Sequence, residues 1–285
     1  MTHPLRFGLK HSGQDTTIQS LRTVWRIAEE GGFDHLWDFD HLASIGAGGA
    51  DRPIYEGWSL QAAMAEATRR VRIGCLVTGN TYRNPALLAK IVVTVDHLSG
   101  GRLEFGIGAA WAEIEHQMYG IEGLEHRVGR LSESLQILKS LFTQERTNFE
   151  GRYYRMADAI SNPKPLQKPH PPFWIGASGP STLRLVARHA DVWNIAGGDP
   201  DRVRELTSML EEACGAVGRD PSEIRRSLQF GWDGRDRQEL VDLSGKYIEL
   251  GVTEQVFYLR GGEPEELAAK IAEALPDLRR LAPVH

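Results

Sequence analysis

The stretch Asp38-Phe39-Asp40-His41 sets two carboxylates and an imidazole side by side. Such a set admits a divalent metal site, because carboxylates and imidazoles both ligate such ions. It also admits acid/base work, since histidine titrates near neutrality. No His-x-His and no His-Glu-x-x-His occurs elsewhere in the chain, which favours proton handling by His41 over metal binding. A histidine that only fastens its own loop is the plainer alternative. A second candidate is Gly106-Ile107-Gly108-Ala109-Ala110-Trp111, where glycines let backbone approach a flat ligand or a phosphate. It lacks the third glycine of a dinucleotide fingerprint, and Trp111 stands beside it as a stacking wall. The third is Gly176-Ala177-Ser178-Gly179-Pro180. A proline opening a helix there leaves N–H groups and the helix dipole free for an anion, with simple capping as the alternative. Arg83, Arg127, Arg130 and Lys139 either attract an anionic ligand tail or lie on solvated helix faces.

These groups need elements to hold them, and the chain alternates short apolar runs with amphipathic stretches. Strands are expected at 5–10, 35–39, 71–78, 103–108, 173–177, 191–196, 224–230 and 254–259. Helices are expected at 17–30, 58–69, 84–98, 127–142 and 180–189, then from 199, around 238–250 and from 264. Asn84 with Pro85 marks one helix start, and Gly31-Gly32 marks a stop. Eight strand–helix units in one pass predict an α/β fold: a single (β/α)8 TIM barrel over residues 1–285. The 143–172 segment, with a small hairpin at 147–156, is an insertion between the fourth helix and the fifth strand, placed on the catalytic face or across one rim. Residues 112–126 read as loop. In such a barrel the chemistry sits where strands end. That singles out His11, Asp38, Asp40, His41, Thr78, Asn80, residues 106–111, residues 176–179, Asn194, Tyr258 and Arg260. The 45–53 loop and Trp232 are expected to shape the substrate side.

Composition bounds the rest. The chain has 285 residues, 41 % apolar and 25 % charged, with a net charge of −5. That is an ordinary globular balance without the basic footprint of a nucleic-acid binder. Only Cys75 and Cys214 are present, too few for a disulfide framework or a cysteine zinc site. No apolar run is long enough for a membrane span and no apolar leader opens the chain, so a soluble, cytoplasmic protein is expected.

The residues Leu76-Val77-Thr78-Gly79-Asn80-Thr81-Tyr82-Arg83-Asn84-Pro85, Asp96-His97-Leu98-Ser99-Gly100-Gly101-Arg102 and the 106–111 run with Glu115 resemble the luciferase-like monooxygenase superfamily. So do Phe149-Glu150-Gly151-Arg152-Tyr153-Tyr154 and Ala190-Asp191-Val192-Trp193-Asn194. Within it the chain looks like the branch that uses the deazaflavin coenzyme F420. The resemblance implies a ring-shaped cofactor in the barrel mouth, backed by a non-proline cis peptide at Leu76-Val77 with Thr78 beside it. It implies that Asp40 bonds the ring and that His41 handles the proton. Gly106, Gly108, Ala109, Ala110 and Trp111 would contact ring and ribityl, and Gly176, Ala177, Ser178 and Gly179 would hold the phosphate. Where related sugar-phosphate dehydrogenases carry a glutamate base, this chain has Trp111; Glu115 lies further on, either as a second catalytic residue or as a support of the loop. The expectation is hydride transfer between F420 and a small organic substrate, in a homodimer, without metal. The alternatives are an FMN-dependent monooxygenase on the same barrel and a non-catalytic deazaflavin carrier.

Overall fold

A computed structural model describes residues 3–46, 48–259 and 261–281. Arg260 and Ala47, both within expected site segments, lie outside the described residues. Eight parallel strands close into a barrel: β1 (Arg6–Lys10), β2 (His35–Asp38), β3 (Arg72–Gly79), β4 (Leu103–Gly108), β7 (Phe173–Gly176), β8 (Val192–Ile195), β9 (Arg225–Trp232) and β10 (Val252–Leu259). They follow one another around the ring in chain order, and β10 pairs with β1 to close it. Between them, β5 (Thr147–Glu150) and β6 (Arg155–Ala159) form a separate antiparallel hairpin. Helices α1 (Ile18–Glu30), α2 (Gly57–Ala67), α3 (Pro85–Leu98), α4 (Glu113–Tyr119), α5 (Arg127–Thr143), α6 (Pro180–His189), α7 (Pro200–Gly215), α8 (Arg237–Glu249) and α9 (Pro264–Arg279) complete the chain.

Local chemistry sets the starts of these helices. The Asn84 side chain accepts the Ala86 N–H at 2.9 Å ahead of Pro85, and Asp199 accepts the Arg202 N–H at 2.9 Å ahead of Pro200. Each satisfies a donor that helix geometry leaves over, and proline supplies a first residue with no N–H to satisfy. The strands are apolar because they are covered twice, by helices outside and by barrel filling inside. All six residues of β4 are buried.

The lower barrel interior is polar but fully paired. Trp37 Nε1 donates to His35 Nδ1 at 2.8 Å, and His35 Nε2 donates to Glu254 at 2.8 Å. Because indole N–H only donates, this chain of bonds fixes His35 as the neutral Nε2–H tautomer. Arg225 takes the other Glu254 oxygen, while Glu104 joins Trp174 Nε1 and Arg72. The Trp37 and Trp174 rings cross at 4.5 Å above this belt. This filled lower layer leaves only the upper end open.

Two expectations need correction. The 143–172 segment is not on the catalytic face, since none of its residues lines the cavity at the barrel mouth; its hairpin lies along α5, and residues 164–167 take the other expected placement, across the opposite rim, where Leu166 and Gln167 bond Asp96 and the Leu103 carbonyl. Glu133 of α5 accepts the N–H groups of Arg152, Tyr153 and Tyr154 at 2.7–3.0 Å, and Lys164 caps the helix end through the Leu141 carbonyl at 2.9 Å. The 112–126 stretch holds the short α4, ended by Gly120 at φ 62°. It has no side-chain cap, the signal by which a sequence announces a helix. Among the described residues no helix is long and apolar enough to cross a membrane.

Candidate active site

The strand ends converge on one cavity of about 920 Å³ at the mouth. Its wall takes Asp40, His41, Leu76, Val77, Thr78, Gly108, Ala109, Ala110, Trp111, Gly176, Ala177, Ser178 and Gly179, so thirteen of the fifteen expected positions meet around one space. His11, Ile45, Arg127, Asn194 and Tyr258 also line it. Gly106 and Glu115 do not. Gly106 is one layer below, where a Cβ would stand 1.9 Å from the Cys75 carbonyl oxygen; only glycine lets β4 pass the β3 bulge so closely. Glu115 is buried behind His41.

The floor is the β3 bulge. Its peptide Leu76-Val77 is cis, and the register against β4 shifts between Cys75 and Thr78. Thr78 donates to Asp40, and Trp58 Nε1 donates to the Thr78 hydroxyl at 3.2 Å. Arg83 grips Asp40 through two bonds, at 2.5 and 3.0 Å, and reaches Glu56 at 2.5 Å. Arg83 is therefore spent on holding Asp40 and is not free for an anionic ligand. Lys139 bonds the His189 carbonyl at 3.0 Å, and Arg130 packs over Tyr153 and Tyr154. Of the four expected cations only Arg127 lines the cavity. Trp232 bonds the Asp236 carbonyl at 3.0 Å, outside the lining.

His41 presents an imidazole with one nitrogen tied back. Its Nδ1 donates to Glu115 at 2.9 Å, while Nε2 takes no protein partner among the described residues and is left to the cavity. Glu115 also accepts the Leu42 N–H at 2.6 Å, the Ala43 N–H at 3.0 Å and the Tyr82 hydroxyl. Burial alone would push this carboxyl up. The hydrogen bonds from His41, Ala43 and Tyr82 overcome that and hold it at about 2. Tyr82 is pushed well up by burial and by the same carboxylate. Glu115 thus fixes the tautomer and tilt of His41. The segment that carries it is α4, whose inner side is completed by His116 to Thr81 at 2.7 Å. Its outer side exposes Ile114, Met118 and Tyr119 next to Trp111, which is 63 % exposed at the rim.

At the other end of the cavity α6 begins at Gly179 with no side-chain cap. Its first helical bond runs from Leu183 N to the Gly179 carbonyl at 2.9 Å. The Ser181 and Thr182 N–H groups are thus left over, with the Ser178 and Ser181 hydroxyls beside them on the cavity wall. This donor set fits a phosphate. Ala110 adopts φ 68°, a left-handed turn after β4 that throws Trp111 outward.

Among the cavity residues that escaped the sequence reading are Lys10 and its partner Gln229. Lys10 donates to the Leu76 carbonyl at 2.9 Å and to Gln229 at 2.6 Å. The signal was a charged residue ending an apolar strand directly before His11. Burial pushes Lys10 down to about 8 and His11 down to about 4, so His11 is neutral near pH 7. Among the described residues no group of three or more His, Cys, Asp or Glu side chains is placed to hold a metal ion.

Comparison with known proteins places this geometry. Residues 2–248 match the family described as luciferase-like monooxygenase. An F420-dependent glucose-6-phosphate dehydrogenase of Microbacterium testaceum is 34 % identical over 79 % of this chain and 67 % of its own length. An FMNH(2)-dependent dimethylsulfone monooxygenase of Pseudomonas putida is 31 % identical over 70 % of this chain and 55 % of its own. The solved structure of an F420-dependent secondary alcohol dehydrogenase with an F420-acetone adduct shares the fold, with a TM-score of 0.87 at 17 % identity over 97 % of this chain and 99 % of that one. The chain is an enzyme and belongs to the luciferase-like monooxygenase family.

Proposed function

We propose that the protein transfers a hydride between coenzyme F420 and a small organic substrate. The observation that carries this reading is a single cavity with a proton-handling imidazole at one end and a phosphate-binding helix start at the other. The deazaflavin, when bound, supplies the hydride chemistry; the protein supplies orientation, water exclusion and one proton. Ser178, Ser181 and the α6 N-terminus would hold the phosphate, and Gly108 and Ala109 would contact the ribityl linker. The Leu76–Val77 bulge would back the ring, and Asp40, held by Arg83, would bond it. His41 takes or gives the proton at Nε2, and Glu115 acts through it as a positioning residue. Trp111 stands where a glutamate base would stand in a sugar-phosphate dehydrogenase, so His41 carries the proton alone. The reading also includes a homodimer, which sedimentation analysis decides.

An FMN-dependent oxygenation is the second reading, supported by the Pseudomonas putida relative. Quenching of tryptophan fluorescence by F420 against FMN separates the two. Saturation by F420 and not by FMN supports the first, and the reverse overturns it. Within the first, His41→Ala abolishes turnover while coenzyme affinity stays. Retained turnover would remove His41 from its role.

A further inference from the structure

Lys10 ends β1 and lines the cavity beside the bulge whose carbonyl it bonds. Both of its hydrogen-bond acceptors, the Leu76 carbonyl and the Gln229 amide oxygen, are neutral. Among the described residues no carboxylate pairs with it within 4.0 Å. The titratable groups facing it are pushed toward their neutral forms or bonded elsewhere, and none forms an ion pair with it. From the end of β2, burial pushes Asp38 well up while one of its oxygens is taken by the Gly13 and Phe39 N–H groups, and Asp40 is gripped by Arg83. On β3, burial pushes the Cys75 thiol up. His11, adjacent on the chain, is neutral, and on β10 the residue in register is the phenol Tyr258. The ammonium also lies 5.4 Å from the centre of the Phe39 ring. A recessed cation among neutral partners is costly, and an arriving anion relieves that cost.

We propose that Lys10 is a specificity-determining residue whose missing counter-ion is a negatively charged redox ring. This rests on the deazaflavin reading above. The ring of F420 carries a phenol-like hydroxyl, and its ionisation spreads negative charge over the conjugated system. The oxidised ring of FMN is neutral. Lys10 therefore discriminates between two coenzymes whose phosphates the α6 N-terminus would accept alike.

The test measures dissociation constants of oxidised F420 and of FMN by fluorescence quenching in the wild type, Lys10→Met and Lys10→Arg. Lys10→Met should weaken F420 roughly tenfold or more, the scale of a unit charge at short range in a protein interior, and FMN by less than about twofold. Lys10→Arg should restore most of the loss. Wild-type affinity for F420 should decline as the pH passes about 8, where Lys10 discharges, and the decline should be absent in Lys10→Arg. Equal weakening of both coenzymes by Lys10→Met, or no weakening of F420, overturns the inference. So does a flat wild-type pH profile, a measurement that needs no variant to fold. A wild type that binds FMN and rejects F420 overturns the deazaflavin reading instead.

Discussion

Replacing Glu115 by glutamine probes how the proton handler is held. Four donors converge on the two carboxylate oxygens: two peptide N–H groups, His41 Nδ1 and the Tyr82 hydroxyl. A carboxyl held at about 2 instead of 4.5 stores about 3 kcal/mol of folding stability above pH 4.5. Because its pKa is depressed in the folded state, that contribution is present above the unfolded value and fades as the pH falls toward 2. Glutamine has a single acceptor oxygen. Turned toward Leu42 and Ala43, it aims its NH2 at His41, which must then accept at Nδ1 and carry its proton on Nε2. The variant should fold, with about 1–3 kcal/mol less stability at pH 7 by chemical denaturation and a shallower acid decline. Its coenzyme affinity should hold while hydride transfer toward the coenzyme drops about 10²–10⁴-fold, the worth of a positioned general base. Nitrogen NMR of the imidazole reads the tautomer directly. If Glu115→Gln keeps the wild-type tautomer and rate, the claim that Glu115 sets His41 is wrong.

Three further outcomes test the neighbouring parts. Arg83→Met leaves the buried Asp40 carboxylate without its guanidinium and should cost about 3–5 kcal/mol in a denaturant melt. Ser181→Asp places a negative charge in the first turn of α6. It should leave the melting temperature unchanged or higher, while raising the coenzyme dissociation constant at least about tenfold. Gly245, within α8, has open space where a Cβ would stand. Gly245→Ala should therefore raise stability by about 0.5–1 kcal/mol with no change in coenzyme binding.

The parts of this site that can be read from sequence are those tied to strand ends. Asp40, Thr78, Gly108 and Ser178 each follow an apolar run, and a closed barrel brings every such position to one mouth. The α4 helix was hidden because it is short and opens on uncapped Ala112, so its formation depends on tertiary bonds from Glu115 and His116 rather than on local pattern. Lys10 was hidden for the opposite reason: it ends a well-marked strand, and only closure of the barrel brings Gln229 of β9 to it. Arg83 was visible as a charge, but its partners Asp40 and Glu56 come from other segments of the chain. The flank position of the 147–159 hairpin depends on Glu133 collecting three peptide N–H groups, a long-range arrangement with no signature in spacing.

Glu115 also has a mechanical consequence for the rim. It rivets α4 to the 41–43 segment, and the Tyr119 hydroxyl adds a second fastening at the Leu42 carbonyl, 2.8 Å away. The greasy outer side of that short helix is therefore a handle bolted to the imidazole. A molecule leaning on Trp111, Ile114 or Met118 cannot peel the doorway back one residue at a time. It must swing the whole jamb, and His41 swings with it.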